Sequence, residues 1–482
     1  MLPQNVERRY VVRFLLVLAV LSVGLLLLIA LRSNTLTGST LDASDSPQSV
    51  CHQLRRALRG NTTTADEWRS RLLPQVYQKE GLLPSNSRLV FSIFMPSSGY
   101  GLCNVRSFIL DGLILAALVG ADVVLQTAET LDRPGSDPIA HQLEGYYDVE
   151  HLRAEWKRFC PSMVLYHDRR SEGSSGPLLE ELEQQRGALV VRHSTYVEVG
   201  STRTDQDAVV NNVEKRLSEM DAGIRGLLTA TERPHAKRKK HAPTAYFVMN
   251  VRKLFLWDWL LPGEDASLGE LHRTIGASLR TPAFITRVAA RVVDYLAALG
   301  QESGNGPRFC SAHLRSEPDM VQLAGNFANG TALTDRFIEA AVAAGTKQCG
   351  LLYVAAGTQV DLERFFALAP VHGIRVVTLG LLNKTTTLLT ETARWSYSQM
   401  AALEYEILAA SHKFFGASAS SFSWNLAIRR YFAHSTDILP LRDIMQPWEQ
   451  IPYDDAHSQL FTGMHPDSSP RDRKKSEGVK GS

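Results

Sequence analysis

The chain has 482 residues, of which 44% are hydrophobic and 21% charged, and a formal charge of +2. This is ordinary globular usage with room for two or three domains and a large buried core. The net charge argues neither for nor against a nucleic-acid or anionic-surface partner, since steering depends on local patches; no nucleic-acid partner is expected.

In chain order, the first feature is Phe14 to Leu31, a run without a charged side chain. As a helix at 1.5 Å per residue it covers about 27 Å, close to a bilayer's hydrocarbon core. Arg8, Arg9 and Arg13 precede it and only Arg32 follows closely, which places the N-terminal side in the cytoplasm. A cleaved signal peptide would have a shorter apolar run followed by small residues. Here the run ends Ile29-Ala30-Leu31-Arg32, so an uncleaved anchor is expected. The organisation expected is a cytoplasmic tail over 1–13, a single transmembrane helix over 14–31, a polar stem over 32–50, and a luminal remainder. The span is on the short side, which suits the Golgi membrane, or the ER membrane, better than the plasma membrane.

Sequons at Asn61, Asn329 and Asn383 all fall beyond the anchor. The five cysteines (Cys51, Cys103, Cys160, Cys310, Cys349) lack metal-type spacing. In an oxidising lumen some pair, with Cys310 and Cys349 as neighbours at the starts of strands; the alternative is buried free thiols. An odd count leaves at least one unpaired within the chain.

Strand-like Arg88 to Met95, the turn Pro96 to Gly101, helix-like Asn104 to Val119 and strand-like Ala121 to Leu125 form a βαβ signal. Met163 to Tyr166, Ala188 to Arg192 and Ala245 to Asn250 are further strands, and Asp205 to Thr229 has a helical pattern. The basic run His235 to His241 reads as a solvated loop. Pro282 opens an amphipathic helix in which Val288, Val292, Tyr295, Leu296 and Leu299 share a face.

A second α/β set follows the break Gly304-Asn305-Gly306-Pro307. Strands are expected at Phe309–Leu314, Leu351–Ala355, Arg375–Leu379 and Lys413–Gly416. Helices are expected at Thr334–Ala344, Leu362–Leu368, Ser396–Ala410 and Ser423–Phe432. Strands alternating with helices imply parallel sheets. The expectation is two Rossmann-like domains, 51–300 and 301–462, facing a cleft, with a disordered tail over 463–482.

Two stretches sit where a strand gives way to a helix, at the carboxyl edge where ligands collect in an open α/β sheet. They are Ala312 to Met320 and Phe415-Gly416 through Ser420-Ser421-Phe422-Ser423. Arg315 just past one strand can grip two phosphate oxygens, or form a salt bridge with Glu317 or Asp319. The serines opening the last helix either cap it or present its first N–H groups to an anion, and both roles use the same donors.

Three blocks in order carry a family resemblance: Gly101-Leu102-Cys103-Asn104-Val105-Arg106; His313-Leu314-Arg315 with Glu317 and Asp319; and Phe415-Gly416 through Ser420-Ser421-Phe422. Glu404-Tyr405-Glu406-Ile407-Leu408 ahead of the last block adds an acidic helix. Over roughly residues 88 to 435 the chain resembles the GDP-fucose protein O-fucosyltransferase superfamily, including its plant and fungal members. The resemblance implies a metal-independent, inverting glycosyltransferase of GT-B type that takes GDP-fucose as donor, needs no further cofactor, and acts on a hydroxyl of a protein or glycan.

On that resemblance, Arg315 holds the diphosphate, and His313, Asn104, Arg106, Ser420, Ser421 and Phe422 line the donor site. His313 is equally well read as a satisfied core histidine, and Asn104 and Arg106 as fixing their loop. Some members place a carboxylate just before the glycine of the first loop; Ser97 and Ser98 stand there instead. Glu317 and Asp319 are then the candidates for the base, the alternative being that each only orients Arg315. UDP-rhamnose or another nucleotide sugar as donor, and a membrane-anchored glycan-binding scaffold without catalysis, stay open as alternatives. The one Asp-x-Asp triplet, Asp205-Gln206-Asp207, opens a helix-like stretch, so no metal role is expected. No G-x-x-x-x-G-K-[ST] loop and no dinucleotide fingerprint is present.

Overall fold

The computed structural model describes residue 51, residues 88–93, 101–125 except 120, 143–167, 177–178, 181, 184, 189–198, 245–252, 273–357 except 303 and 305, 360–435 and 452–463. The expected tail, anchor and stem (1–50), the sequon at Asn61, the helical pattern over 205–229 with its Asp-x-Asp triplet, the basic run 235–241 and residues 464–482 lie outside the described residues. Among the described residues no helix is long and apolar enough to cross a membrane.

Two sheets form, one before and one after a long helix in the chain. The first contains β1 (Arg88–Ile93), β2 (Asp122–Leu125), β3 (Leu165–His167), β4 (Leu189–Glu198) and β5 (Ala245–Arg252), in the order β3-β2-β1-β5-β4 and all parallel. Between β1 and β2 runs α1 (Leu102–Val119), whose aliphatic side chains Val105, Ile109, Leu113 and Ile114 are fully buried. Strands buried on both faces are expected of parallel sheets, and β2 is buried at each of its positions. The sequence pattern assigns no element to α2 (Val149–Phe159). It starts at Asp148, whose side chain accepts the N–H of His151, and buries Leu152, Trp156 and Phe159.

The connecting helix α3 (Ala283–Glu302) begins just after Pro282 and buries Val288, Val292, Leu296 and Leu299, while Tyr295 packs at the core's edge. The second sheet comprises β6 (Cys310–Leu314), β7 (Leu351–Ala356), β8 (Arg375–Thr378), β9 (Phe414–Ala417), β10 (Tyr453–Asp454) and β11 (Ser458–Phe461). Its order is β10-β11-β9-β6-β7-β8, parallel except for β10. Helices α4 (Pro318–Ala324), α5 (Gly330–Ala344), α6 (Glu363–Leu368), α7 (Leu379–Thr385), α8 (Tyr397–Ala409) and α9 (Ser421–His434) connect these strands. Of these α4 and α7, seven residues each, are not assigned from the sequence. The hairpin β10–β11 is likewise too short to read from the sequence.

Alternate residues of β7 divide between two cores. Leu351, Tyr353 and Ala355 join a cluster that also contains Phe91, Ile109, Val288 and Leu408, and Leu352 and Val354 join one built with Phe337 and Phe365. The first cluster therefore runs without a break from the first sheet to the second, across residue 300. Disulfides join Cys51 to Cys160 and Cys310 to Cys349, and Cys103 is a buried free thiol.

Candidate functional site

In the second sheet the chain moves outward from β6 through β7 to β8, then returns to the other side of β6 with β9. The order therefore reverses between β6 and β9, and the crevice at their carboxyl ends is the topological switch point of this sheet. His313 lies opposite Gly416 in the register of these strands. A Cβ on Gly416 would come within 2.8 Å of the Ser423 side chain, so the glycine lets the first turn of α9 close onto the strand. That approach places Ser423 Oγ 2.9 Å from His313 Nδ1, and the Phe422 ring 4.4 Å from the imidazole. The Tyr405 ring stands edge-on to Phe422 at 5.3 Å.

Just past β6, Arg315 is held by two carboxylates. Its guanidinium pairs with Glu317 and forks onto Asp319, at 2.7 and 3.2 Å. Burial opposes the charge on Arg315, but Asp319 and Glu317 more than offset it and keep the guanidinium firmly protonated. The two acids differ in setting: the Glu317 side chain is 3% exposed and that of Asp319 is 60% exposed. Glu317 lies against Gly357 at the end of β7, where any Cβ would collide with its carboxylate. Behind it, burial pushes the Glu404 carboxyl up to about 8, and the nearby Glu317 adds to the effect. The Tyr353 hydroxyl donates to Glu404 at 3.4 Å. Glu404 thus keeps its proton at neutral pH.

Ser420 is the N-cap of α9, accepting from the Ser423 N–H at 3.5 Å, and its own N–H is bonded to Ala417 O. Ser421 and Phe422 are the first two residues of the helix and are partly exposed, which turns the helix's amino end toward the crevice. The structure therefore gathers His313, Ser420, Ser421 and Phe422 around the β6–β9 crevice, while Arg315, Glu317 and Asp319 form one network at the carboxyl end of β6. The capping role of Ser420 and the salt bridges of Arg315 are both present.

Asn104 and Arg106 are supplied by α1. Asn104 is in the first turn of α1 and half-buried. Arg106 is 7% exposed, donating to the Gly276 carbonyl at 2.6 Å and to Asn425 Oδ1 at 3.4 Å. It lines a cavity of about 310 Å³ rather than the β6–β9 crevice. The wall continues through Tyr147, Thr281, Tyr405, Asn425 and Arg429. Here Glu406 receives both Arg429 nitrogens at 2.8 and 2.9 Å and the Thr281 hydroxyl at 2.6 Å. Burial works against the Glu406 carboxylate, but Arg429, with Thr281, more than offsets it and holds the group below its usual range.

The sequence reading misses Arg429, Thr281 and Asn425: Thr281 meets Glu406 across 125 positions, Asn425 meets Arg106 across 319 and Arg429 meets Glu406 across 23, and none of the three belongs to a short motif. Glu406 lay within the acidic helix, without a role.

No protein-family model and no curated protein matches this chain. Among solved structures it is similar to POFUT1 in complex with GDP-fucose (13% identity over 79% of this chain and 98% of that one, TM-score 0.41). It is also similar to POFUT1 in complex with GDP (12% identity, 72% and 95% covered, TM-score 0.39). A third similar structure is a mutant of Arabidopsis thaliana FUT1 in complex with GDP (11% identity, 81% and 78% covered, TM-score 0.33).

Proposed function

We propose that this chain is a membrane-anchored luminal glycosyltransferase that moves fucose from GDP-fucose to a hydroxyl of a protein or glycan, without a metal and with inversion. The observation that carries the reading is the meeting of His313, the Arg315 network and the amino end of α9 at the switch point of the second sheet. The family resemblance of those same residues supports it.

In the proposed step the acceptor oxygen bonds to C1 of fucose from the face opposite the nucleotide. The bond from C1 to the β-phosphate oxygen breaks, and its electron pair leaves on GDP. Arg315 and the first N–H groups of α9 stabilise the charge that develops on the diphosphate. Glu317, buried against Gly357, fixes the direction of Arg315. Asp319 is the carboxylate open enough to meet an acceptor hydroxyl and take its proton.

The test is thermal unfolding of the purified full-length protein with GDP, UDP and their sugar conjugates, in the presence of a chelator. A ligand at a hundred times its Kd stabilises by about 2.7 kcal/mol. Stabilisation by GDP but not UDP is the expected result. A UDP-only shift moves the donor to a rhamnose-type sugar, and no shift from either nucleotide leaves a non-catalytic scaffold.

A further inference from the structure

The sequons at Asn329 and Asn383 lie among the described residues, and their surroundings differ. Asn329 caps α5, its side-chain oxygen accepting the Ala332 N–H at 3.2 Å. The next residue, Gly330, lies so close to Ser316 that a Cβ would come within 2.7 Å of its hydroxyl. Asn329 therefore stands at the carboxyl edge of β6, where Ser316 follows Arg315. Asn383 is placed elsewhere. It belongs to α7, which starts straight after β8 with Thr378 as its N-cap. Asn383, Lys384 and Thr385 are all exposed, and the Thr385 hydroxyl donates to the Leu381 carbonyl at 2.9 Å.

The strand that leads into α7 is the outermost of the second sheet. β8 pairs with β7 on one side and with no strand among the described residues on the other. An open strand edge is a template for pairing with another chain, and charged side chains are one of the means that blunt it. β8 carries a single charge, Arg375 at its first position. The surface around this edge is also apolar. Phe366 in α6 is 45% exposed, Val371 in the 3₁₀ turn Ala369–His372 is 78% exposed, and Leu381 in α7 is 39% exposed. These are three of the six large apolar side chains that stand exposed among the described residues. They are linked in space: α6 touches the 3₁₀ turn, the turn touches β8, and β8 touches α7.

We propose that Asn383 is the acceptor of an N-linked oligosaccharide and that this glycan shields the open β8 edge. The proposal rests on the luminal reading above, because the donor is an oligosaccharide carried on a lipid diphosphate and used on the luminal side. In that step Asn383 Nδ2 bonds to C1 of the first sugar. The bond from C1 to the diphosphate oxygen breaks, its electron pair leaves on the lipid diphosphate, and one amide proton passes to a base of the transferase. A bulky, hydrated chain on α7 keeps a second copy from reaching β8. β7 stands between β8 and β6, so the β6–β9 crevice stays clear. A glycan on Asn329 would instead stand over the carboxyl edge of β6.

The experiment uses the full-length protein made in cells with a secretory pathway. Glycosidase digestion in heavy-oxygen water, followed by peptide mass spectrometry, reads whether position 383 carried a glycan. Sedimentation in detergent reads self-association. Two variants lose the sequon by different residues, Asn383→Gln and Thr385→Ala, and Thr385→Ser keeps it. The expected result is label at position 383 in most copies of the parent and of Thr385→Ser, and none in the other two. Those two should self-associate several-fold more strongly, and adding Val371→Lys to Asn383→Gln should return the chain to the parent's level. An unlabelled position 383 in a chain that resists protease inside sealed microsomes overturns the proposal and leaves the luminal reading standing. An unlabelled position 383 in a chain that protease digests outside those microsomes overturns both. Label at position 383 with self-association unchanged in both sequon-free variants overturns the shielding.

Discussion

The β6–β9 crevice and the cavity beside α1 both gather arginines against carboxylates, yet they are made by opposite means. In the crevice Arg315, Glu317 and Asp319 lie within five residues of one another, just past a single strand, and the partner groups come from one neighbouring turn. In the cavity Arg106 meets Asn425 across 319 positions and Thr281 meets Glu406 across 125. The first is a local device that a strand end presents wherever the sheet puts it. The second exists only when both halves of the chain have packed. A local cluster keeps its geometry through small motions between the halves, whereas a long-range one senses them.

The largest effect that would test this contrast is at Arg315. Arg315→Ala leaves Glu317 as a buried carboxylate without its main partner, and an unfolding cost of about 3–5 kcal/mol is expected. Adding Glu317→Gln should recover most of that stability in urea titrations but none of the stabilisation by GDP. Recovery of GDP binding in the double variant would show that Arg315 serves the fold alone. In the cavity, Arg429→Met should cost about 2 kcal/mol, the usual worth of hydrogen bonds to a charged group. Coupling it with Glu406→Gln should return most of this. GDP binding that moves with either cavity variant would erase the separation between the two regions.

A smaller effect comes from Glu404. Its folded-state pKa of about 8 lies above the ordinary 4.5, so the folded chain keeps a proton that the unfolded chain releases. The stabilising effect of that proton is complete below about pH 4.5 and is lost as pH rises toward 8, with a slope of at most ~1.4 kcal/mol per pH unit. In Glu404→Gln this part of the pH dependence of Tm should disappear; an unchanged profile would show that Glu404 is ionised in the fold. The smallest effect is expected at Asp319. Its pairing with Arg315 is on the exposed side, so Asp319→Asn should change stability by no more than ~1 kcal/mol. The same change frees the outer edge of Arg315, and GDP should bind several-fold more tightly while turnover falls. Weaker GDP binding would make Asp319 a support for the arginine instead of its competitor.

Much of the fold is legible in the sequence because its signals are short-range. The switch from short continuous apolar runs such as Leu351–Ala356 to the helical period of Ala283–Glu302 marks strand and helix directly. Cys310 and Cys349, foreseen as neighbours, form a disulfide. The short helices Pro318–Ala324 and Leu379–Thr385, seven residues each, are not assigned from the sequence. The alternation on strand β6 suggests that His313 stands out from its apolar neighbours, but its hydroxyl partner depends on Gly416 admitting Ser423, a fact of packing. Arg106 shows the limit most clearly. Its place beside Asn104 in one motif suggests one site, whereas two steps along a helix turn a side chain by about 200°, and Arg106 lines the cavity beside α1.

The Cys310–Cys349 bridge lies at the amino ends of β6 and β7, their Cα atoms 5.0 Å apart, while the crevice opens at the carboxyl ends of the same strands. Closing a loop of 39 positions is worth about 4 kcal/mol in the chain-entropy account. That contribution is delivered about five residues, or ~17 Å of strand, away from Arg315. Reduction would therefore lower the chain's tolerance to heat and leave the ligand edge in register. A chain matured in a reducing compartment and one matured in an oxidising compartment would then differ in lifetime more than in affinity, and the state of this one bond would record where each had folded.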